Sequence, residues 1–142
     1  MADIMSPAAR SERMSRIRGQ DTAPELALRR SLHAAGLRYR LHVPGMPGKP
    51  DLVFPRWRTV VFVHGCFWHQ HQPCKIAKVP RSNTAFWLTK FEANKRRDAR
   101  VARALRALGW RVLVVRECQL STARKLGATC ARVEQFLRVD RA

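Results

Sequence analysis

The spacing of apolar and polar residues along the chain predicts four short strands. Runs dominated by apolar and β-branched residues at 51–54, 59–63 and 110–115 are typical of buried strands. Residues 37–43 alternate between apolar and polar side chains, which predicts a half-buried strand. The short, proline-containing segment 55–58 is expected to join two of these strands as a hairpin.

Three segments have the apolar spacing of helices that pack on a sheet. The first begins at Thr22-Ala23-Pro24-Glu25, which fits a capping box with proline in the first turn, and Gly36 is a favourable stop. A long helix is predicted from about Asn83 to Leu108, and a last helix from about Ala128. The order helix, three strands, helix, strand, helix predicts one α/β domain at 21–142, with a mixed central sheet flanked by helices.

The charge of the chain points to a polyanionic partner. Its 142 residues include 28 Lys and Arg against 10 Asp and Glu, a formal net charge of +18, and nucleic acid is the commonest partner of such a surface. Residues 1–20 lack a sustained apolar period and are predicted to form a basic DNA-binding arm that orders on its partner, or else a solubilising tail. The basic side chains that stand out there are Arg10, Arg13, Arg16 and Arg18.

The sequence also indicates the cellular compartment in which the protein is expected. No apolar run reaches the roughly 20 residues that a membrane helix needs, and no signal peptide opens the chain. We therefore expect a cytoplasmic protein, whose reducing environment favours metal binding over disulfides.

Histidines and cysteines are concentrated in residues 64–74, directly after the predicted strand 59–63. Cysteine, histidine and cysteine separated by four and then two residues suit three ligands of a tetrahedral zinc, and a cysteine after the strand 110–115 can supply the fourth. Four protein ligands would make the site structural rather than catalytic. His64 and His69 are competing ligands, and buried thiols with surface histidines are the alternative. The predicted ligands are Cys66, His71, Cys74 and Cys118.

Cys130 differs from these four residues. It falls on the same helical face as Val133 and Leu137, so it is expected to be an apolar core thiol.

Asp51 follows Pro50 at the start of a predicted strand. Pro-Asp followed by a hairpin resembles the PD-(D/E)xK nuclease core, in which a carboxylate and a backbone carbonyl hold Mg²⁺ against the scissile phosphate. That core also uses a second acid and a lysine on the next strand, whereas the next strand here ends Phe62-Val63-His64 with neither. Asp51 is therefore either a salt-bridge partner or a metal-binding carboxylate.

The loop after strand 59–63 carries further candidates. His69 could take a proton from water, which phosphodiester hydrolysis requires. Phe67 and Trp68 are expected to lie on a polar loop, from which apolar wedges can enter base steps. Trp87, at the start of the long helix, could join them or be a core residue. Glu25 is accounted for by the capping box unless its carboxylate also faces a cleft.

Taken together, these segments resemble the very short patch repair (Vsr) DNA mismatch endonucleases. The resemblance covers roughly Arg10 to Phe136, and the string His64-Gly65-Cys66-Phe67-Trp68-His69 is its most specific part. The other matching segments are Arg10-Ser11, Met14, Ile17, Asp21-Thr22, Pro47-Gly48-Lys49-Pro50-Asp51, Phe62-Val63, Val79-Pro80, Phe86-Trp87-Leu88, Leu108-Gly109-Trp110-Arg111-Val112-Leu113 and Glu117-Cys118.

The resemblance implies a restriction-endonuclease-like fold and Mg²⁺-dependent nicking of DNA. The substrate it implies is a T·G mismatch left by deamination of 5-methylcytosine, cut on the 5′ side of the T to initiate very short patch repair. It further implies that Asp51 and the backbone carbonyl of Val63 hold Mg²⁺, that His69 is the general base, and that Glu25 and His64 order metal-bound water.

The resemblance also implies the remaining contacts. Structural zinc would be bound by the four ligands named above, and Phe67, Trp68 and Trp87 would intercalate beside the mismatch. The basic arm would embrace the duplex, and MutL-type repair proteins are possible partners of an expected monomer. Two alternatives stay open: a non-catalytic zinc-stabilised nucleic-acid-binding module, and a homing or restriction nuclease that cuts both strands of undamaged sites.

Overall fold

The centre of the fold is a mixed sheet. The computed structural model describes residues 22–71, 74 and 76–139, and within them the sheet has three strands in the order β1 (Leu52–Phe54), β2 (Thr59–His64) and β3 (Arg111–Arg116). β1 pairs antiparallel with β2, and β3 pairs parallel with β2. The predicted α/β class with a mixed central sheet is confirmed.

The hairpin between β1 and β2 is also confirmed. Its connection is a 3₁₀ turn at Pro55–Trp57, followed by Arg58 in the left-handed region with φ 46°. The predicted strand at 37–43 is wrong, because only Arg40 pairs with the sheet, through an isolated antiparallel bridge to Val53. His42 has a φ of 53°, a conformation that an extended strand does not contain.

The first helix, α1 (Ala23–Ala34), has the predicted start and end. Thr22 is the N-cap residue and proline occupies the first turn. At the other end Gly36, with φ 88°, donates its N–H to the His33 carbonyl, and the Leu37 N–H donates to the Leu32 carbonyl. These two bonds form a Schellman motif, which ends the helix.

Three more helices follow: α2 (Cys66–His69), α3 (Thr84–Ala107) and α4 (Ala123–Arg138), with a 3₁₀ turn at 117–120 before α4. The bounds of α3 agree with the prediction. α4 begins five residues before the predicted Ala128, because Thr122 caps it by accepting a hydrogen bond from the Lys125 N–H. Gly127 is accommodated within the helix.

The sheet is covered on both faces. α1 and α4 pack on one face and α3 packs on the other. Side chains of β2 alternate between the two cores, with Val61 in the first and Val60 and Phe62 in the second. β2 is therefore a rigid support for the segment that leaves its C-terminal end. The first core contains Leu28, Leu32, Leu37, Leu52, Phe54, Val61, Val115, Leu120, Val133 and Leu137.

The predicted basic arm, with Arg10, Arg13, Arg16 and Arg18, lies outside the described residues. Within the described ranges, every helix is too short or too polar to cross a membrane.

Candidate active site and metal centre

Asp51 lies at the start of β1, beside the end of β2. The antiparallel pairing brings these positions together, and the Val63 N–H donates a 2.6 Å hydrogen bond to Asp51 Oδ2. Burial raises the pKa of Asp51 to about 7, and charge repulsion from Glu25 contributes to that rise, although the hydrogen bond from Val63 opposes it. A buried carboxylate next to a second carboxylate is an environment that a bound cation would stabilise.

Glu25 supplies that second carboxylate. It is only 5% exposed and lines the same cavity as Asp51. Thr22 makes no side-chain cap bond to the helix backbone, and its hydroxyl donates to Glu25 Oε1 at 3.3 Å instead. Arg29 Nη2 donates to Glu25 Oε2 at 3.1 Å. The expected capping bond from Thr22 to the helix backbone is therefore wrong, because the Thr22 hydroxyl bonds instead to the Glu25 carboxylate, which lines the cavity.

His69 and Asp98 form a hydrogen-bonded pair between two helices. His69 ends α2, and its Nδ1 lies 2.7 Å from Asp98 Oδ2 on α3. Asn94 Nδ2 donates to the Trp68 carbonyl at 2.9 Å and holds α2 against α3. Because a carboxylate can only accept, Nδ1 carries the hydrogen, and Nε2 is the nitrogen left to accept a proton.

His64 stacks on His69 with ring centroids 3.8 Å apart and planes at 7°. Burial lowers the pKa of His64 to about 4, with a further contribution from the charge of His69, so this imidazole is neutral near pH 7. The ligand atoms of His64, His69 and Asp98 lie within 4.8 Å of one another. However, lone pairs in two parallel, displaced ring planes do not converge on one point. The trio therefore suits proton transfer better than metal binding.

Asp98 is a residue of this site to which the sequence alone assigned no role. It lies on the inward face of α3, on the helical spacing of the buried Phe91 and Leu105. Carboxylates seldom occupy such positions without a partner. An acid within a helical stripe that also carries Phe91, Val101 and Leu105 was the available signal.

The predicted zinc ligands converge on one point after β2 and β3. His71 Nε2 lies 3.1 Å from Cys66 Sγ and 3.5 Å from Cys118 Sγ. All four ligand atoms, including that of Cys74, lie within 4.8 Å of one another. Three thiols and one imidazole are a donor set that fits closed tetrahedral zinc. The cluster could therefore hold such an ion.

The thiols of this cluster lie in different electrostatic environments. Burial raises the pKa of Cys66 to about 12, so its thiolate is unfavourable in the protein alone. Burial also acts against the Cys74 thiolate, but hydrogen bonds from the backbone of Ala77 and Ile76 leave its pKa below the usual value. A divalent ion would offset the cost of the buried thiolate, since metal binding releases thiol protons.

The aromatic side chains form one half-buried cluster. Phe67 and Trp68 lie on the short helix α2 rather than on an irregular loop, with ring centroids 5.0 Å apart. Phe67 also contacts Trp87 at 5.3 Å and the buried Phe91 at 5.2 Å. Trp87 is thus neither a plain core residue nor fully exposed.

Two adjoining cavities bring the predicted catalytic residues together. The larger, of about 770 Å³, is lined in part by Phe67 and Trp68. The smaller, of about 380 Å³, is lined by the four predicted catalytic residues, Glu25, Asp51, His64 and His69, and by Val63, whose backbone carbonyl was predicted to bind Mg²⁺. Residues common to both linings are Glu25, Val63, His69, Arg97 and Asp98.

Cys130 lies apart from both sites. It packs against the first core, and burial raises the pKa of its thiol, as expected for an apolar core cysteine.

Comparison with other proteins shows one similarity in structure and one in sequence. The catalytic domain of the homing endonuclease I-Bth0305I superposes with a TM-score of 0.55 over 82% of this chain and 94% of that domain, at 17% sequence identity, and so shows the nuclease fold. The type II nicking enzyme V.XorIIP of Xanthomonas oryzae pv. oryzae is 49% identical over 137 residues, which cover 96% of this chain and 98% of that protein.

Two further comparisons identify the family. The DNA mismatch endonuclease Vsr of Escherichia coli is 44% identical over 139 residues, covering 96% of this chain and 88% of that enzyme. Residues 2–75 match the family model described as DNA mismatch endonuclease Vsr. The chain therefore belongs to the Vsr family of DNA endonucleases.

Proposed function

We propose that the protein nicks one strand of duplex DNA on the 5′ side of the T in T·G mismatches left by deamination of 5-methylcytosine, and that the reaction requires Mg²⁺. Relatives named as a DNA mismatch endonuclease and a type II nicking enzyme support this substrate class. The observation that carries the proposal is one cavity that contains both the carboxylates Asp51 and Glu25 and the His69–Asp98 pair. Phosphodiester hydrolysis needs a cation site and a proton acceptor together.

The cation site would be formed by the Asp51 carboxylate and the backbone carbonyl of Val63. Oxygen ligands suit Mg²⁺, and burial beside Glu25 raises the pKa of Asp51 to about 7, a cost to the carboxylate form that a bound cation would offset. When bound, Mg²⁺ supplies charge stabilisation to the phosphate and the leaving oxygen, and it acidifies water. Glu25 and His64 line this cavity, where their polar atoms would order water.

His69 would act as the general base. Its Nδ1 is engaged by Asp98 at 2.7 Å, so Nε2 would receive the proton of the attacking water. Asp98 is a positioning residue in this scheme, because it fixes the ring and stabilises the imidazolium that forms. His64, whose pKa is lowered to about 4, would stay neutral. The negative charge of Asp98 would therefore interact mainly with the His69 imidazolium.

The cluster of Cys66, His71, Cys74 and Cys118 would bind a structural zinc. Four protein ligands leave no open position on a tetrahedral ion, so the site would stabilise the fold and take no part in hydrolysis. Because Cys66 follows His64 by two residues, the ion would also fix the chain that carries the catalytic histidines.

Contacts to DNA would come from two regions. Phe67, Trp68 and Trp87 would wedge beside the mismatch, where part of the unstacking cost is already met. The basic arm at 1–20 would grip the phosphates of the duplex. We further propose that the protein works as a monomer in the cytoplasm, with MutL-type repair proteins as partners.

A nicking assay on two duplexes tests this function. The duplexes differ only by T·G against C·G at a cytosine methylation site, and the buffer contains Mg²⁺. We expect one nick 5′ of the T in the mismatched duplex and none in the matched duplex. Cleavage of both strands of matched DNA would instead support an ordinary endonuclease, and binding without any cleavage would support a zinc-stabilised binding module.

The aromatic residues provide a second arm of the same assay. Phe67→Ala and Trp68→Ala should weaken the preference for mismatched over matched duplex more than they weaken general duplex affinity, because wedging acts only where bases unstack. Equal losses of affinity for both duplexes would exclude the wedge role.

A further inference from the structure

The smaller cavity contains an unusual mixture of charges. Its lining includes the carboxylates of Glu25, Asp51 and Asp98 and the cationic side chains of Lys49 and Arg97. Three carboxylates repel a phosphodiester, so a cavity that admits DNA needs positive charge close to them. The PD-(D/E)xK core takes part of that charge from a lysine on the strand after the first acid, and β2 has none.

Lys49 owes its place in the cavity to a tightly packed loop. Its φ of 52° lies in the left-handed region, which a lysine rarely adopts, and its N–H donates to the Met46 carbonyl at 3.3 Å. The preceding Gly48, with φ 71°, lies so close to Val101 of α3 that a Cβ there would collide with the valine side chain. The loop therefore packs directly on α3 at Gly48, the residue before Lys49. Backbone strain of this kind is often retained at functional sites.

Arg97 approaches the same cavity from α3, one helical turn before Val101. Among the described lysines and arginines, it alone lines both the cavity with Asp51 and the cavity with Phe67 and Trp68. Within the described ranges Arg97 has no ion-pair partner, whereas the adjacent Arg96 pairs with Glu92 at 3.6 Å. The Arg97 guanidinium can therefore contact a ligand, and it stands directly before Asp98, the partner of His69.

We propose that Lys49 and Arg97 bind the phosphate at the cleavage point and replace the charge of the missing strand lysine. The inference rests on the proposed nicking function and adds two residues to it. Arg97 would contact the phosphate with a bidentate fork, and its position between the cavities would place that phosphate between the aromatic cluster and Asp51. Lys49 would act as a point charge beside the carboxylates.

Single-turnover nicking of the T·G duplex at saturating protein measures the effect on the reaction. Arg97→Ala should lower the rate about 10²-fold, the usual loss on removing one donor to transition-state charge, and Lys49→Ala about tenfold. Arg97→Lys should recover part of the loss, since charge returns without the fork. Arg103→Ala is the matched control: it removes one exposed charge from the same helix outside both cavities and should change the rate less than about twofold.

A binding measurement identifies the phosphate itself. Neutral methylphosphonate is placed at each position in turn along the strand with the mismatched T, and affinity is measured with Mg²⁺ omitted. In the wild-type protein, substitution at the position 5′ of the T should weaken binding. In Arg97→Ala and Lys49→Ala the same substitution should cost little more, because the contact is already lost, whereas in Arg103→Ala it should cost as much as in the wild type.

The two measurements separate this inference from the function on which it rests. A wild-type protein that never nicks overturns the proposed function, while coupling of Arg97 and Lys49 to one phosphate can still be observed in binding. Additive losses at every methylphosphonate position, or a rate for Arg97→Ala equal to that of Arg103→Ala, would overturn the inference even if the wild type nicks efficiently.

Discussion

The Cys/His cluster and the carboxylate–histidine cavity both lie at the end of β2, yet they differ in access. In the cluster, Cys66 is fully buried and four side chains point at one another. In the cavity, Asp51 and Glu25 face an open volume of about 380 Å³ that adjoins a larger one. The first arrangement suits a closed ion and the second leaves room for water and substrate.

Electrostatics sharpen the comparison. Burial raises the pKa of the Cys66 thiol to about 12 and that of the Asp51 carboxyl to about 7, so the anionic forms of these two groups are unfavourable in the protein alone. In the cluster the neutralising ion would become part of the fold, since metal binding is coupled to folding. In the cavity a bound Mg²⁺ would exchange with solvent and would stabilise charge on the phosphate during the reaction. On this proposal the cluster with its ion would add to the stability of the fold, whereas the buried carboxylates of the cavity would lower it and serve the reaction.

The largest expected effect is on the closed region. Cys118→Ala or Cys74→Ala should lose the bound zinc and most of the cooperative fold, because structural zinc contributes on the order of 10 kcal/mol to small domains. Metal analysis and thermal unfolding measure the two losses. Cys130→Ala is the matched control, as it removes a thiol that packs on the first core, and it should keep the zinc. A folded wild-type protein without zinc, or an unchanged unfolding temperature in Cys118→Ala, would contradict the assignment.

Substitutions in the open region should affect the reaction and spare the fold. His69→Ala should lower the single-turnover nicking rate by about 10²–10⁴, the usual contribution of a positioned acid–base group. Asp98→Asn should lower it less, since His69 keeps its nitrogen atoms but loses a charged partner at 2.7 Å. Both variants should retain zinc and bind duplex DNA. A loss of zinc in either would mean that the two regions are not separable in this way.

A smaller effect concerns the response of the open region to pH. Asp51 must lose its proton to hold a cation, and its pKa is raised to about 7. The half-saturating Mg²⁺ concentration should therefore rise by up to about tenfold for each pH unit below 7 and level off above it, because one proton leaves for each ion bound. Measuring Mg²⁺ saturation rather than the rate separates this carboxyl from the proton-transfer steps. A constant Mg²⁺ requirement across that range would argue against Asp51 as the ligand.

Several elements follow directly from the sequence. The apolar run of β2 and the helical stripe of α3 are long and regular, so local pattern and tertiary burial agree there. The four zinc-type ligands are predictable because closely spaced thiols and imidazoles form the donor set that tetrahedral zinc prefers. Asp51 is predictable from its place between Pro50 and a strand, and the structure places it beside β2.

Other features depend on contacts that the sequence does not contain. The alternation at 37–43 persists as alternating burial, but β1 is only three residues long and offers Arg40 a single bridge. Glu25 matches a capping box, yet its carboxylate lines the cavity beside Asp51 and accepts hydrogen bonds from the Thr22 and Arg29 side chains. A role for Asp98 can be recognised only in the folded protein, where α3 packs against α2 and places the Asp98 carboxylate next to His69. In each case a tertiary neighbour decides between two locally acceptable structures.

The comparison between the two regions is tested most directly by Asp51→Ala, assayed with Mg²⁺ on the T·G duplex beside the wild-type protein. We expect nicking to be abolished while zinc content, unfolding and DNA binding are retained, with binding equal to or tighter than wild type because a carboxylate that repels phosphate is gone. Full nicking by Asp51→Ala would contradict the account and leave a zinc-stabilised DNA-binding module whose catalytic residues lie elsewhere.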